Sequence, residues 1–398
     1  MPPPVPSRFS LIAILAVVAG MGPMSIQIVV PLLPRIEATF AAGHAFTQIA
    51  LSGALVAMAI APLGYGPAAD RFGRRPVLLF GIGAFVVGSA LCFWAPSAWV
   101  LIAGRIVQAV GGAAGAVVSR TILRDLYSRE ESAKALSYML SMVVLAPLLT
   151  PVLGGLIADA IDWHWAFAFT LGLGVAALAF TLVAIPETRP ARRATNFLRE
   201  MRTAFPALLR SPGFLAYAAY AAGGMGAFQA MAGGVPFLGA QYFGWTPTEF
   251  ALHYMIMPIS FMVGTFLSAR LTQRVGIDRM ILRASVGGAV AALAIPALFA
   301  AGYVTPWAIF GPGCVLGVFN GLSMPNAQAG GVSVNPAMAG SASGLMMFMQ
   351  MTGGAVFAQA AGMLPHDTPI AIALLIASAA VFAAVAFSGL MTLARRRA

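Results

Sequence analysis

Charged and small residues are concentrated in the ten positions from Gly66 to Arg75, spaced Gly-x-x-x-Asp-Arg-x-Gly-Arg-Arg. The segment separates two long apolar stretches, so its charges belong at a membrane surface. Asp70 lies within about one helical turn of Arg71 and Arg74, and an ion pair in a partly dry setting is stronger than one in water. The chemistry is that of an ionic latch, able to hold neighbouring helices in one arrangement and release them in another.

Two glycines belong to the same pattern. Gly66 lies one turn before Asp70, and Gly73 separates the acid from Arg74 and Arg75. Glycine lets helices approach closely in membranes, which is the role we expect at Gly66. Arginines at such a place also fix the orientation of a membrane protein, but orientation alone would not require this spacing.

A second charged group lies inside an apolar stretch. Arg105 precedes Gln108 by one helical turn. A charged side chain at the centre of a bilayer costs about 3 kcal/mol on insertion scales and therefore faces a cavity or a partner. The alternative is that Arg105 extends toward the outer surface, because it lies only about two turns from the start of its span. We favour a functional role.

The elements that position these groups are twelve long apolar stretches. Hydrophobic residues make up 60% of the 398 positions and charged residues 9%, compared with about 25% charged residues in soluble domains. Each run approaches the ~20 residues that a helix needs to cross a bilayer, and none alternates as the ~10-residue strands of a membrane barrel do. The predicted spans are 9–33, 46–66, 76–94, 99–123, 135–158, 165–185, 214–238, 250–267, 284–301, 307–327, 340–363 and 370–393.

The charge of +11 follows the loops rather than one folded face. If alternate loops are assigned to opposite sides, 21 of the 23 basic residues lie on one side, the exceptions being Arg35 and Arg105. This is the positive-inside bias, which places both termini and the loop 186–213 in the cytoplasm. A nucleic-acid-binding surface would instead gather its basic residues on one face, so nucleic acid is not an expected partner.

The stretches fall into two sets of six. The predicted domains are a six-helix bundle at 1–185, a cytoplasmic linker at 186–213 and a second six-helix bundle at 214–398. A shift of 203 positions places Arg71 on Arg274 and Gly73 on Gly276, while Asp70 falls on Gln273. A repeat of about half the chain length is typical of secondary transporters, whose substrate sites lie near the bilayer midplane.

The hairpin from Gly66 to Arg75 resembles motif A of the major facilitator superfamily. The first half of the chain looks like the bicyclomycin/chloramphenicol-resistance branch of the drug:proton antiporters. This resemblance implies twelve transmembrane helices in two six-helix bundles. The further supporting segments are Ser119–Tyr127, Pro147, Pro151–Gly155 and Asp162–Phe167.

Roles for several residues are implied by this resemblance. Arg105 and Gln108 are similar to motif B, whose arginine is linked to proton coupling. Asp125 is expected to pair with Arg71 or Arg74 and so to tie the hairpin to span four. The end of motif C, which is associated with antiport, is matched by four residues of span five: Pro147, Pro151, Gly154 and Gly155.

The expected proton site is where the chain departs from the branch. Relatives usually carry an acid in span one, within a pattern like Ser-Thr-Asp-Met-Tyr-Leu-Pro. The matching stretch from Ser25 to Pro31 has Gln27 at the position of the acid, and an amide cannot titrate. If protons are coupled, Glu37 is the first candidate to carry them. His253, whose imidazole titrates near neutral pH, is the second.

The substrate cavity is expected to be apolar with few polar anchors. Methionine adapts to varied apolar shapes. Without an acid in span one, a cationic substrate has no obvious counter-ion, so a neutral or weakly amphiphilic compound fits better. The candidate lining residues are Met24, Gln27, Phe228, Gln229, Met257, Asn320, Met346, Gln350 and Gln359.

The leading hypothesis is export of small organic molecules, drugs in particular, by alternating access in exchange for protons. The expected setting is the inner membrane of a bacterium, with the substrate and the bilayer as partners, the proton gradient as energy source, no cofactor and a monomeric chain. A metabolite carrier or an uncoupled facilitator on the same fold is the alternative. A receptor or an enzyme is a further alternative, although the four histidines show no metal-ligand spacing and no catalytic grouping is evident.

Overall fold

The computed structural model describes residues 8–188, 197–365 and 369–397. Positions 189–196 of the predicted linker therefore lie outside the described residues. The chain divides into two compact units. The first comprises Met1–Gly43 and Ile49–Thr195, and the second comprises His44–Gln48 and Asn196–Ala398.

Helices account for nearly all of the first part of the chain. Their ends follow local chemistry: Ser97 and Ser128 accept hydrogen bonds from backbone N–H groups in the first turns of two of them, as N-cap residues do. The helices are α1 (Arg8–Val29), α2 (Leu33–Phe40), α3 (His44–Thr47), α4 (Ile49–Phe72), α5 (Arg74–Phe93), α6 (Ala98–Leu126), α7 (Arg129–Ala160) and α8 (His164–Ala184).

The second half has the same character. Thr246 and Glu249 form a capping box at the start of one short helix, which satisfies its free N–H groups. The helices are α9 (Phe197–Leu209), α10 (Pro212–Tyr242), α11 (Pro247–Tyr254), α12 (Ile256–Val275), α13 (Ile277–Ala300), α14 (Pro306–Ser333), α15 (Ala339–Met363) and α16 (Pro369–Arg397).

The prediction of an all-helical membrane protein is confirmed. Within the described ranges, nine helical segments are long and apolar enough to cross a bilayer. The remaining long helices are α7, α10 and α15. The helix α7 contains the apolar stretch Pro147–Ala160, and α10 and α15 contain many glycines, which lowers their mean hydropathy.

Prolines interrupt the helical hydrogen bonding within two of the predicted spans. Span eight, predicted over 250–267, lies in one helical segment, Pro247–Val275, with an interruption at Met255 between α11, which ends at Tyr254, and α12, which begins at Ile256. Pro258 has no N–H to donate to the carbonyl of Tyr254, which explains the break. In span one, Pro34 cannot donate to Val30, and a 3-10 turn at Val30–Leu32 separates α1 from α2.

Glycine allows α5 and α6 to pack closely in the first unit. A Cβ atom added at Gly88 of α5 would lie 2.3 Å from the backbone nitrogen of Gln108. One added at Gly111 of α6 would lie 2.3 Å from the backbone nitrogen of Phe85. Close backbone contact through small residues is a usual way for membrane helices to associate, and here it fixes the height of Gln108 against α5.

The backbone carries the signature of the internal repeat. Gly73 precedes α5 with φ 105° and ψ 154°, and Gly276 precedes α13 with φ 85° and ψ 152°. Both conformations favour glycine because a side chain is strained at positive φ. The two glycines, 203 positions apart, thus make the same turn into the third helix of each predicted set.

The short helix α3 packs in the second unit, although its neighbours in sequence belong to the first. The ring of His44 meets Phe237 edge-on at 4.9 Å, and Gln359 donates to the carbonyl of Ala45 over 2.9 Å. Gln48 is fully buried, and a Cβ atom at Gly233 would lie 2.3 Å from its amide nitrogen. Gln359, which was predicted to line a cavity, therefore anchors α3 in this structure.

Candidate functional site

A buried polar network surrounds Arg105 in the first unit. The residue is 0% exposed. Its Nη1 donates to Oε1 of Gln108 over 2.5 Å, and its Nε donates to the carbonyl of Ala50 over 3.2 Å. The alternative that Arg105 extends to the outer surface is therefore wrong, because the neighbouring helices enclose it completely.

Gln108 continues the network to two further helices. Its Nε2 donates to the hydroxyl of Ser89 over 2.7 Å and to that of Thr170 over 3.1 Å. The two hydroxyls lie 3.4 Å apart, so α4, α5, α6 and α8 meet through one set of hydrogen bonds. Neither Ser89 nor Thr170 was predicted from the sequence. Both are hydroxyl residues in the middle of apolar spans, and that position was the available signal.

The charge of Arg105 has no acid beside it. In the described parts of the chain no carboxylate forms a salt bridge with this side chain, and its Nη2 has no hydrogen-bond partner. An ionisable residue inside a membrane span is expensive, and such residues mark functional sites. The arrangement provides one buried positive charge with one free donor.

The charged hairpin forms a second cluster, which we call the hairpin cluster: Asp70, Arg74, Asp125 and Glu187. Arg74 Nη1 donates to Oδ1 of Asp70 over 2.5 Å, and Arg74 Nε donates to Oδ2 of Asp125 over 3.1 Å. The guanidinium side chain is only 7% exposed. Of the two arginines expected to pair with Asp125, the structure selects Arg74, while Arg71 lies over the ring of Phe72 at 5.2 Å.

Glu187 closes the hairpin cluster from the chain segment that follows α8. Its Oε1 accepts from the backbone N–H of Arg74 over 2.9 Å, and its Oε2 accepts from that of Arg75 over 3.3 Å. A carboxylate at a helix N-terminus is favourable because it meets free N–H groups and the positive end of the helix dipole. Glu187 was not predicted from the sequence. The available signal was an acid placed directly after span six in an otherwise arginine-rich segment.

The two hairpin glycines differ in what they do. Gly73 must be glycine for two reasons, since its φ is positive and a Cβ atom there would lie 2.5 Å from Oε2 of Glu187. At Gly66 an added Cβ atom would meet no atom within 4 Å. Close helix packing, the reason we expected for Gly66, is therefore not what this structure shows.

Arg75 also reaches the end of α8. Its Nη2 donates to the carbonyl of Leu182 over 2.6 Å, and the hydroxyl of Thr188 donates to Oδ2 of Asp125 over 3.4 Å. The hairpin cluster therefore joins α4, α5, α6 and the end of α8. These are the same four helices that the Arg105 network joins.

The proline and glycine residues of span five lie in α7. Pro147 and Pro151 are both within the helix. A Cβ atom at Gly154 would lie 2.4 Å from the carbonyl oxygen of Ile28, so this glycine lets α7 approach α1. Gly155 is buried beside it. The close packing expected of this segment is therefore present. The role of the segment in antiport stays a prediction.

The two candidates for proton coupling lie outside the Arg105 network. Glu37 is half-buried on α2, two residues from Arg35, which pairs with Asp159 over 2.6 Å. His253 lies in the last turn of α11, where its Nδ1 lies 2.8 Å from the carbonyl oxygen of Glu249. Its ring stacks on an indole, that of Trp245, at 4.6 Å. An imidazolium would gain a cation–π contact there.

Three of the predicted cavity residues are hydrogen-bonded or packed within the second unit. Asn320 donates to the carbonyl of Gly224 over 3.1 Å and lines a small cavity with Tyr220. Met257 and Met346 are both 3% exposed. Added Cβ atoms at two glycines of α14 would touch these methionines, which places both side chains in helix packing.

The other candidates divide into half-buried and fully buried residues. Met24 and Phe228 are half-buried, and Gln350 accepts from Gln328 over 3.0 Å. Gln27 is 5% exposed and Gln229 is 0% exposed. Among the described residues neither carboxamide has a hydrogen-bond partner for its oxygen or its nitrogen.

In the part of the chain that the structure describes, no group of three or more histidine, cysteine, aspartate or glutamate side chains is placed to hold a metal ion.

Comparison with known proteins agrees with this architecture. The sequence profile of the Major Facilitator Superfamily matches residues 15–358. The chain is 28% identical over 363 residues to Multidrug resistance protein D of Escherichia coli (strain K12), covering 90% of this chain and 89% of that protein. It is 28% identical over 368 residues to the Bicyclomycin resistance protein homolog of Haemophilus influenzae, covering 91% of each chain.

A solved structure shows the same fold. The inward-facing, occupied structure of a bacterial homolog to the human lysosomal transporter Spinster matches with a TM-score of 0.77. It covers 98% of this chain and 97% of that one at 16% sequence identity. At that identity the likeness establishes the fold, and it confirms the fold class that the sequence predicted.

Proposed function

Because the chain belongs to the major facilitator superfamily, we propose that it is a drug exporter that works by alternating access in exchange for protons. Two relatives that align with about nine-tenths of the chain are a multidrug resistance protein and a bicyclomycin resistance protein homolog. These names support small organic drugs as the substrate class. Membership of a transporter superfamily also sets aside the alternative of a membrane enzyme.

The observation that carries the proposal is the fully buried Arg105 network. A charge inside a membrane span is costly, so its presence indicates a role in a pathway for ions or substrate. The guanidinium donates to two neutral acceptors, Gln108 Oε1 and the carbonyl of Ala50, so its full positive charge stays in the span. Ser89 and Thr170 in turn hold the amide of Gln108. Such a charge raises the energy of any proton or cation that approaches it. The occupancy of a nearby proton or substrate site therefore changes the relative energies of the conformations.

The hairpin cluster supports alternating access. It ties α4, α5, α6 and the end of α8 at one end of the first unit, while the Arg105 network ties the same helices within the span. Two separate ties make these helices move together. Rigid movement of one repeat against the other is the usual means of alternating access in such folds.

We place the chain in the bacterial inner membrane with both termini in the cytoplasm. Its bacterial relatives support the location, and the 21 basic residues on one set of loops support the orientation. The hairpin cluster then lies at the cytoplasmic surface. Glu37 and His253 lie toward the opposite side, where they meet protons entering from outside.

An uncoupled facilitator or a metabolite carrier is the second candidate, and Gln27 is the observation that favours it. This amide stands where drug:proton antiporters of the resembled branch carry an acid. Because Gln27 cannot titrate, a coupled mechanism must place its proton elsewhere, at Glu37 or His253. The two candidates therefore differ in whether transport responds to protons at all.

A susceptibility panel tests the proposal in cells. We expect an efflux-deficient bacterium expressing the chain to become resistant to at least one uncharged drug. A protonophore should abolish the corresponding efflux, because the driving force is the proton gradient. Resistance to no compound would contradict drug export, and efflux unchanged by the protonophore would favour the uncoupled facilitator. Cells expressing Arg105→Ala at equal membrane abundance are the control.

A further inference from the structure

Gln27 of α1 and Gln229 of α10 share an unusual condition. Both are in the first long helix of a unit, and both are buried, with 5% and 0% of their surface exposed. For each, neither the amide oxygen nor the amide nitrogen finds a hydrogen-bond partner among the described residues. Most buried polar groups in proteins are paired, so two unpaired carboxamides in equivalent helices require an explanation.

The internal repeat relates the two positions. They lie 202 residues apart, within one residue of the shift of 203 that superimposes Gly73 on Gly276. Gln48 is also buried and unpaired, but it follows the short helix α3. Its side chain contacts Gly233 and Gly362 there. The two amides thus lie at similar heights in the first long helix of each unit.

An unpaired buried amide is costly. A buried donor or acceptor without a partner costs about 1–3 kcal/mol, whereas an apolar side chain of the same shape costs almost nothing. Leucine would therefore stabilise either helix better than glutamine does in this state. The carboxamides fit a role in which another state or a bound molecule supplies the missing hydrogen bonds.

We propose, on the basis of the export function above, that Gln27 and Gln229 are hydrogen-bonding anchors for an uncharged polar substrate. A carboxamide offers two N–H donors and one carbonyl acceptor and carries no charge. It therefore suits hydroxyl and amide groups, which both donate and accept. Each anchor acts within its own unit, on a substrate that carries at least one such group.

The distribution of charge argues for the same class of substrate. Among the described residues, the charged side chains that are buried are Arg74 and Arg105, and both are cationic. A cationic drug would lose its hydration when it entered the protein, and no buried acid among the described residues would offset that cost. It would also be repelled by Arg105. An uncharged drug avoids both costs.

The proposal has an electrical consequence. When an uncharged molecule leaves in exchange for protons, every transport cycle moves net positive charge inward, whatever the stoichiometry. The membrane potential should then drive export together with the pH gradient. Exchange of a monovalent cation for a single proton would instead be electrically silent.

The test uses the full-length protein purified into proteoliposomes with two probes, chloramphenicol as an uncharged alcohol and amide, and tetraphenylphosphonium as a permanent cation. We expect uptake of chloramphenicol but not of the cation. Gln27→Leu and Gln229→Leu should each raise the KM for chloramphenicol about tenfold, which corresponds to one hydrogen bond of about 1.4 kcal/mol. The same change at exposed Gln241, near the end of α10, is the matched control.

A gain of function guards against variants that fail to fold. Gln27→Glu has nearly the same shape and adds an acid, so it should confer uptake of tetraphenylphosphonium that the wild type lacks. Transport of the cation by the wild type, or an unchanged KM in both leucine variants, would overturn the anchor proposal and leave drug export standing. Transport of neither probe by the wild type would contradict the anchor proposal and count against drug export itself.

Discussion

Replacement of Arg105 by alanine is expected to lower the maximal rate of transport about 100-fold, equivalent to about 2.7 kcal/mol in the rate-limiting step. The change removes the buried charge and leaves Gln108 Oε1 without its donor. Each unsatisfied buried group costs about 1–3 kcal/mol. Initial rates of drug uptake into vesicles, normalised to the amount of protein, measure the effect.

Two further variants separate the charge from the hydrogen bonds. Arg105→Lys keeps the charge but cannot reproduce the planar set of donors, so we expect an intermediate rate. Arg124→Ala, on the same helix but at an exposed position, should behave like the wild type. If Arg105→Ala transported at the wild-type rate, the buried network would be structural only, and the observation on which the proposed function rests would be lost.

Replacement of Arg74 by alanine is the second large effect, with an expected loss of about tenfold in transport rate, or about 1.4 kcal/mol. The guanidinium is the shared partner of Asp70 and Asp125, and Asp125 is the better buried acid, with 18% of its side chain exposed. Removal of the Arg74 guanidinium leaves the carboxylates of Asp70 and Asp125 facing each other across α4 and α6. The initial rate of drug uptake at saturating substrate measures the loss.

Arg71 of the same hairpin provides the control for Arg74. Arg71→Ala removes an arginine of the same motif that lies over Phe72 and is exposed, so its effect should be several times smaller. A double change, Arg74→Ala with Asp125→Asn, should recover part of the rate because the unpaired acid is gone. Equal losses at Arg71 and Arg74 would mean that the arginines serve orientation alone, and the latch would be rejected.

The architecture was accessible from the sequence because it depends on long-range averages. Span length and the alternation of basic loops each summarise many residues, and tertiary contacts do not reverse them, whereas the repeat at 203 positions rests on two matched pairs, Arg71 with Arg274 and Gly73 with Gly276. The helix boundaries were less accessible. The break at Met255 follows from Pro258, whose effect on the backbone is local, but a proline within a membrane helix more often bends it than ends it.

The site was predictable where a motif fixes it and less so where partners come from distant helices. Arg105 and Gln108 are one turn apart, so their contact follows from helix geometry. Ser89 joins them because Gly88 brings α5 close to α6, and Thr170 joins them because α8 packs against α5. Sequence patterns do not state which face of a helix meets which neighbour.

The contact of Glu187 with the start of α5 could not be predicted for the same reason. Its distance of 113 positions from Arg74 conceals a contact that depends on how α8 ends beside the start of α5. Hydrophobic periodicity could not indicate the burial of Gln27 and Gln229 either, because glutamine on an apolar helix predicts a cavity or a helix contact equally well. The energetic anomaly of the two amides emerges only from the packed structure.

Proton-linked drug uptake by the purified protein is the most direct test of the central claim, which is export coupled to protons through the first unit. In proteoliposomes with an acidic lumen, we predict that chloramphenicol accumulates, that the lumen becomes more alkaline as it does, and that both signals disappear with a protonophore or with Arg105→Ala. Equal uptake with and without the gradient, and no proton movement, would contradict coupling and identify the protein as a facilitator.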